Sequence, residues 1–139
     1  MKINRLLPAG ILALLLSLSL TGFSQGKTEV KGPQFTFDKP NHDYGTAFVD
    51  EMPETKLDIR FSNTGNEPLI LSGVRACCGT RVTEWPREPI MPGEEGVIKI
   101  EFRLAPRAQR ISRTVTASYN NSQQPTVVYR ILGQIVNRE

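Results

Sequence analysis

The sequence predicts an all-β domain, a two-sheet antiparallel sandwich of about seven short strands. Three observations carry this. Apolar and polar residues alternate with period two in segment after segment. The segments are separated by Asn, Gly and Pro, the residues that turns require. Helical periodicity is almost absent beyond the first 24 residues. A closed barrel is the alternative architecture for the same pattern.

Taken in order, "FTF" at 35–37 and "DYGTAFV" at 43–49 supply opening strands suited to sheet edges. "KLDIRFSNTGN" sends Leu57, Ile59 and Phe61 one way and Lys56, Asp58, Arg60 and Ser62 the other, then stops at Asn63, Gly65 and Asn66. "PLILSGVRA" is apolar on both faces at its start, so its parity is set near its end, with Val74 and Ala76 inward and Arg75 outward. "VIKIEFRL" places Ile98, Ile100, Phe102 and Leu104 inward, behind a Pro92-Gly93 pair suited to a type II turn. "ISRTVTASY" turns Ile111, Val115, Ala117 and Tyr119 inward, and "TVVYRILGQIV" does so with Val127, Tyr129, Ile131 and Ile135.

The opening "MKINRLLPAGILALLLSLSLTGFSQGK" reads as an export signal. Lys2 and Arg5 form a basic start, Leu6 to Leu20 an apolar core, and Gly22 and Ser24 the small residues before a cut. The apolar run is shorter than the roughly 20 residues of a transmembrane helix. The expected organisation is a signal peptide at 1–24, a polar tether at 25–33 and one domain at 34–139, in the periplasm or outside the cell. Removing the signal takes two of the 17 basic residues and none of the 14 acidic ones, so the net charge falls from +3 to +1. Such a balance argues for no nucleic-acid partner. The charge is uneven along the chain: Gln25–Glu101 holds nine basic and thirteen acidic residues. Phe102–Arg138 holds Arg103, Arg107, Arg110, Arg113, Arg130 and Arg138 and no acid.

Four segments carry a family resemblance: "FTFDKPNHDYGTAF", "FSNTGNEPLILSGVRACCGT", "TEWPREPIMPGEEGVIKIEF" and "YRILGQI". On these the chain resembles the bacterial exported family labelled domain of unknown function 1573. The resemblance implies an immunoglobulin-like sandwich of the major-sperm-protein type and an exported setting, and no reaction. Family members typically carry Cys-Gly-Cys after the strand. This chain has Cys78-Gly79-Thr80, with Cys77 where a small residue is usual.

Chemistry-bearing residues are few. Cys77 and Cys78 are the only cysteines and His42 the only histidine, and together they form a candidate thiol or soft-metal site. With Met52 and Met91 they would suit Cu(I), but they supply only three of the four ligands a tetrahedral zinc site takes. A Cys–His nucleophile pair is conceivable, with no convincing third member. A Cys77–Cys78 disulfide would be strained, because consecutive Cα atoms lie about 3.8 Å apart against a usual minimum near 4.4 Å. Parity places Cys78 inward with Val74 and Ala76, and Cys77 outward as an exposed thiol. Asp50-Glu51 and Glu94-Glu95 are adjacent carboxylates that face opposite ways on a strand and form no converging acid pair. Trp85, in "TEWPREP", is either a partner anchor or a plug over the end of the core. Arg107 and Arg110, in "APRAQR", are candidate anion-binding residues of an irregular stretch. Asn120-Asn121-Ser122 reads as a hairpin turn.

The functional expectation is a non-enzymatic binding or structural module at the cell envelope, without a cofactor. Its partner would be another envelope protein, met through an edge strand or the Trp85 loop. Soft-metal or thiol-redox handling through Cys77 and Cys78 is the alternative, and binding of an anionic envelope glycan a further one.

Overall fold

A computed structural model describes residues 31–139. The expected signal peptide and most of the expected tether lie outside the described residues. Eight strands build the domain: β1 (Phe35–Phe37), β2 (Asn41–Phe48), β3 (Lys56–Asn63), β4 (Leu71–Ala76), β5 (Thr80–Glu84), β6 (Glu95–Phe102), β7 (Gln109–Tyr119) and β8 (Thr126–Val136). They form two four-stranded sheets, ordered β1-β3-β6-β5 and β2-β8-β7-β4. The architecture is the expected immunoglobulin-like sandwich, not a barrel, and no helix occurs among the described residues.

The alternating segments supply the core as their parity requires. Ile59 and Phe61 of β3, Ile98, Ile100 and Phe102 of β6, Ile111, Val115 and Ala117 of β7, and Ile131 and Ile135 of β8 are all buried between the sheets. Phe35 stacks on Phe61 with ring centroids 4.1 Å apart and planes at 10°. That stack runs beside Gly96, where a Cβ would stand 2.5 Å from the Phe61 ring, so only glycine fits there.

Two departures from simple alternation matter. β1 and β2 are one extended run that changes sheets at Asp38–Pro40. β2 keeps the direction of β1 and pairs with β8 in parallel, where an antiparallel sandwich was expected. Both strands are sheet edges, as expected. In β4 the register shifts between Leu71 and Gly73. This bulge lets Leu69 and Leu71 face the core and still turns Val74 and Ala76 toward it, which resolves the two-faced apolar stretch.

Gly32 is already fastened to the domain: its N–H donates to Asn66 Oδ1 at 2.8 Å and its carbonyl accepts from Asn66 N at 3.2 Å. Asn63, expected only to end a strand, is fully buried. Its Nδ2 donates to the carbonyls of Glu67 (2.7 Å) and Ile90 (2.9 Å), and its Oδ1 accepts from Gln34 N and Gly65 N. It thereby satisfies the backbone of three converging loops in a place water does not reach.

Candidate functional site

The two cysteines join the sheets. β4 ends at Ala76, and the next strand, β5, belongs to the opposite sheet. The chain crosses in one tight turn, Cys77–Thr80, closed by Thr80 N donating to the Cys77 carbonyl at 3.1 Å. φ is +59° at Cys78 and +73° at Gly79, the positive pair that a type I′ turn demands. Cys78 is the only non-glycine residue with positive φ among those described.

This geometry overturns the parity expectation for Cys78. The strand stops before Cys78 can turn inward, and its side chain is exposed at the turn. Cys77 keeps the outward phase of Arg75 but is partly covered instead of freely exposed. Its N–H still pairs with the Thr114 carbonyl at 3.0 Å. In return Thr114 gives Cys77 Sγ two donors, its backbone N–H at 3.3 Å and its hydroxyl at 3.2 Å. The Cys78 thiol, donating to Cys77, and then Thr114 hold the Cys77 thiol below its ordinary range, with the Arg113 guanidinium adding to the effect. The same thiol–thiol contact raises Cys78. Both cysteines are free.

Arg113 was missed in the sequence, although it stands in phase with the inward residues Ile111 and Val115. Its Nη1 lies 3.7 Å from where a Cβ on Gly79 would stand. Its Nη2 donates to the Arg103 carbonyl at 3.3 Å, and the guanidinium carbon sits 5.8 Å from the Phe102 ring centre. Beyond Gly79 opens a cleft of about 440 Å³ lined by Lys56, Arg81, Glu101, Phe102 and Arg103 among others. Glu101 is bound to Arg81, so the cleft is basic on balance.

His42 does not join the cysteines. It lies on β2, at the opposite edge of the same sheet, paired in register with Ile131, which pairs with Arg113. Three strand spacings of about 4.8 Å separate that edge from the Cys turn, roughly 14 Å in all. His42 instead packs edge-on against Tyr44, 4.4 Å between centroids. No cluster of three or more His, Cys, Asp or Glu that could hold a metal ion occurs among the described residues. Trp85 is half-buried against the core and carries the Arg87 guanidinium over its ring at 3.7 Å.

The arginines of the last third separate in space. Arg138 is paired with Asp50 (3.1 Å) and Glu51 (3.0 Å). Arg103 and Arg113 gather by the Cys turn, and Arg107 is exposed in the loop before β7. Arg110 and Arg130 lie on the outer face of the β2-β8-β7-β4 sheet, where parity also sets Arg75. The two outer faces differ. On the β1-β3-β6-β5 sheet, bases and acids sit opposite one another, Lys56 and Arg81 beside Glu101, Asp58 and Glu84 beside Lys99. On the other, Ser112, Thr114, Thr116, Ser118 and Thr126 surround the three arginines, with Val128 46% exposed. Among the described residues no acid is bridged to those three arginines.

Fold and composition together define an immunoglobulin-like β-sandwich domain. The family model described as "Protein of unknown function (DUF1573)" matches residues 35–135, and the chain belongs to that family. A comparison with curated proteins finds no match. Among solved structures, the chain is similar to a protein of unknown function from Porphyromonas gingivalis W83 (20% identity, TM-score 0.58, over 77% of this chain and 49% of that one). It is also similar to the secreted serine protease VesC from Vibrio cholerae (11%, 0.57, 75% and 23%). A third likeness is to the ASH/PapD-like domain 7 of human CEP192 (12%, 0.51, 100% and 99%). The chain thus spans less than half the length of the first two. At these identities the likeness is one of fold.

Proposed function

We propose that the chain is an exported, non-catalytic binding module of the cell envelope, whose contact surface is the outer face of the β2-β8-β7-β4 sheet. Its partner is another envelope protein that presents an acidic patch. The observation that carries this reading is the contrast between the two outer faces. One neutralises its own charges across strands, as with Lys99 and Glu84 at 3.1 Å, and is complete as a solvated surface. The other spaces Arg75, Arg110 and Arg130 among short hydroxyl side chains, with Val128 exposed between them. Arginines that lack an intramolecular acid, set on a rigid sheet with little side-chain bulk around them, suit bidentate pairing with carboxylates. The Trp85 route is weaker, because Trp85 is already packed against the core under Arg87.

A photo-crosslinking residue at Thr116, in cells of the native host, tests the surface, with the same residue at Asp58 as the control on the other sheet. A discrete protein adduct from Thr116 and none from Asp58 is expected. Equal adducts from both faces, or none from Thr116, would refute the assignment.

A further inference from the structure

We propose that Cys77 is a nucleophilic thiol that forms mixed disulfides with carboxylate-bearing low-molecular-weight disulfides. The inference goes beyond the binding reading and stands if that reading fails.

Four features converge on one sulfur. Thr114 aims both its backbone N–H and its hydroxyl at Cys77 Sγ, at 3.3 and 3.2 Å. A neutral thiol needs no such pair of donors, whereas a thiolate is stabilised by each of them. Cations lie on both sides. Arg113 reaches the turn at Gly79. Arg75 stands two residues back on the same face, about 6.7 Å along the strand, and Arg130 lies beside Thr114 in the ladder. The turn itself holds a non-glycine residue, Cys78, at positive φ, a conformation that carries a local cost and tends to mark sites of function. Lastly, Cys77 is only partly covered, so a small molecule can reach it.

The chemistry balances without an added oxidant. The Cys77 thiolate attacks one sulfur of the small disulfide, a new S–S bond forms, the old one breaks, and the other half leaves as a thiolate. Cys78 keeps its proton throughout. It does not displace the adduct readily, because a bridge between adjacent residues would be strained. The arginines select for carboxylates on the incoming molecule. The product sits on the face that carries Arg75 and Arg130, and it places negative charge between them.

The folded protein is incubated separately with oxidised glutathione, which bears carboxylates, and with cystamine, which is cationic, and adducts are followed by intact mass and peptide mapping. Circular dichroism confirms that each variant is folded. The expected adduct maps to Cys77, persists in Cys78→Ser and forms at least about tenfold faster with the anionic disulfide. Thr114→Val should slow it by about tenfold, the worth of one hydrogen bond to a charged group. Arg75→Gln with Arg130→Gln should reduce the preference for glutathione while leaving the cystamine rate intact. Modification mainly at Cys78, equal rates with the two probes, or a rate unchanged by Thr114→Val would overturn the proposal.

Discussion

The buried side-chain amide of Asn63 donates to the Ile90 carbonyl at 2.9 Å and ties the end of β3 to the loop before β6. Ile90 is in turn bonded through both its backbone groups to Leu69, each at 2.8 Å. One polar side chain thus holds together the loops that close this end of the sandwich.

Asn63→Ala should therefore cost about 3 kcal/mol, since it removes four hydrogen bonds at a buried site and leaves the amides of Gln34 and Gly65 without their acceptor. Asn63→Asp should be at least as damaging, because a carboxylate cannot donate to Glu67 and Ile90. Urea unfolding followed by tryptophan fluorescence measures both. A loss below about 1 kcal/mol for Asn63→Ala would show that the amide is not the organising group.

Cys78→Asn is expected to stabilise the fold by roughly 0.5–1 kcal/mol. The turn requires positive φ at its two central positions, and Asn-Gly is the sequence best suited to it. The side chain is exposed, so nothing is lost in packing. An unchanged or lower denaturation midpoint would contradict the turn assignment.

What was legible in the sequence, and what was not, follows from period two. The inward sets of β3, β6, β7 and β8 could be read because each strand keeps one face on the core along its length. The inward end of β4 was legible too, but not the bulge after Leu71 that makes it possible, since a bulge adds a residue without a compositional mark. Cys78 went astray for a related reason: parity holds only while the strand lasts, and the strand ends one residue before the pair. Asn63 and Arg113 were missed although a signal existed. Each stands in phase with apolar residues, Asn63 after Leu57, Ile59 and Phe61, and Arg113 between Ile111 and Val115. A polar residue in phase with a core face needs a partner there: Asn63 satisfies buried backbone, and Arg113 donates to the Arg103 carbonyl.

Tyr44 offers a pH test of the packing of β2, where its ring meets His42 and Phe102. Burial, and then the Glu54 carboxylate, push its phenol from 10.0 up to about 12. The folded state keeps the proton that the unfolded chain releases, so stability falls as pH rises from about 10 through about 12 and is unaffected below that range. Burial raises the Tyr129 phenol as well, so spectrophotometric titration should show two phenols ionising late, and Tyr44→Phe should remove one of them. A late phase of undiminished amplitude in Tyr44→Phe would assign the shifted phenol elsewhere.

Arg107→Ser with Arg110→Ser should leave stability within about 0.5 kcal/mol, as both side chains are exposed and neither is in a salt bridge. Retention on a sulfated resin should fall, and fall most at low salt, where exposed charges are least screened. Unchanged retention would remove these two residues from any anion-binding role.

The last prediction concerns the thiols themselves. Cys77 is held low first by the Cys78 thiol and then by Thr114. Alkylation of Cys77 by iodoacetamide should therefore reach half its maximal rate at a lower pH than an ordinary thiol does, because the thiolate is the reacting species. Cys78→Ala removes the largest of these contributions and should move that midpoint upward. Thr114→Val should move it upward as well, since the hydroxyl donor is lost while the backbone N–H remains. In the wild type Cys78 should titrate later than Cys77 despite its greater exposure, because its proton is held in the contact between the two sulfurs. Peptide-resolved alkylation across the pH range separates the two residues. The order Cys78 before Cys77 would mean that exposure governs reactivity at this turn and that the Thr114 donors do not stabilise a thiolate.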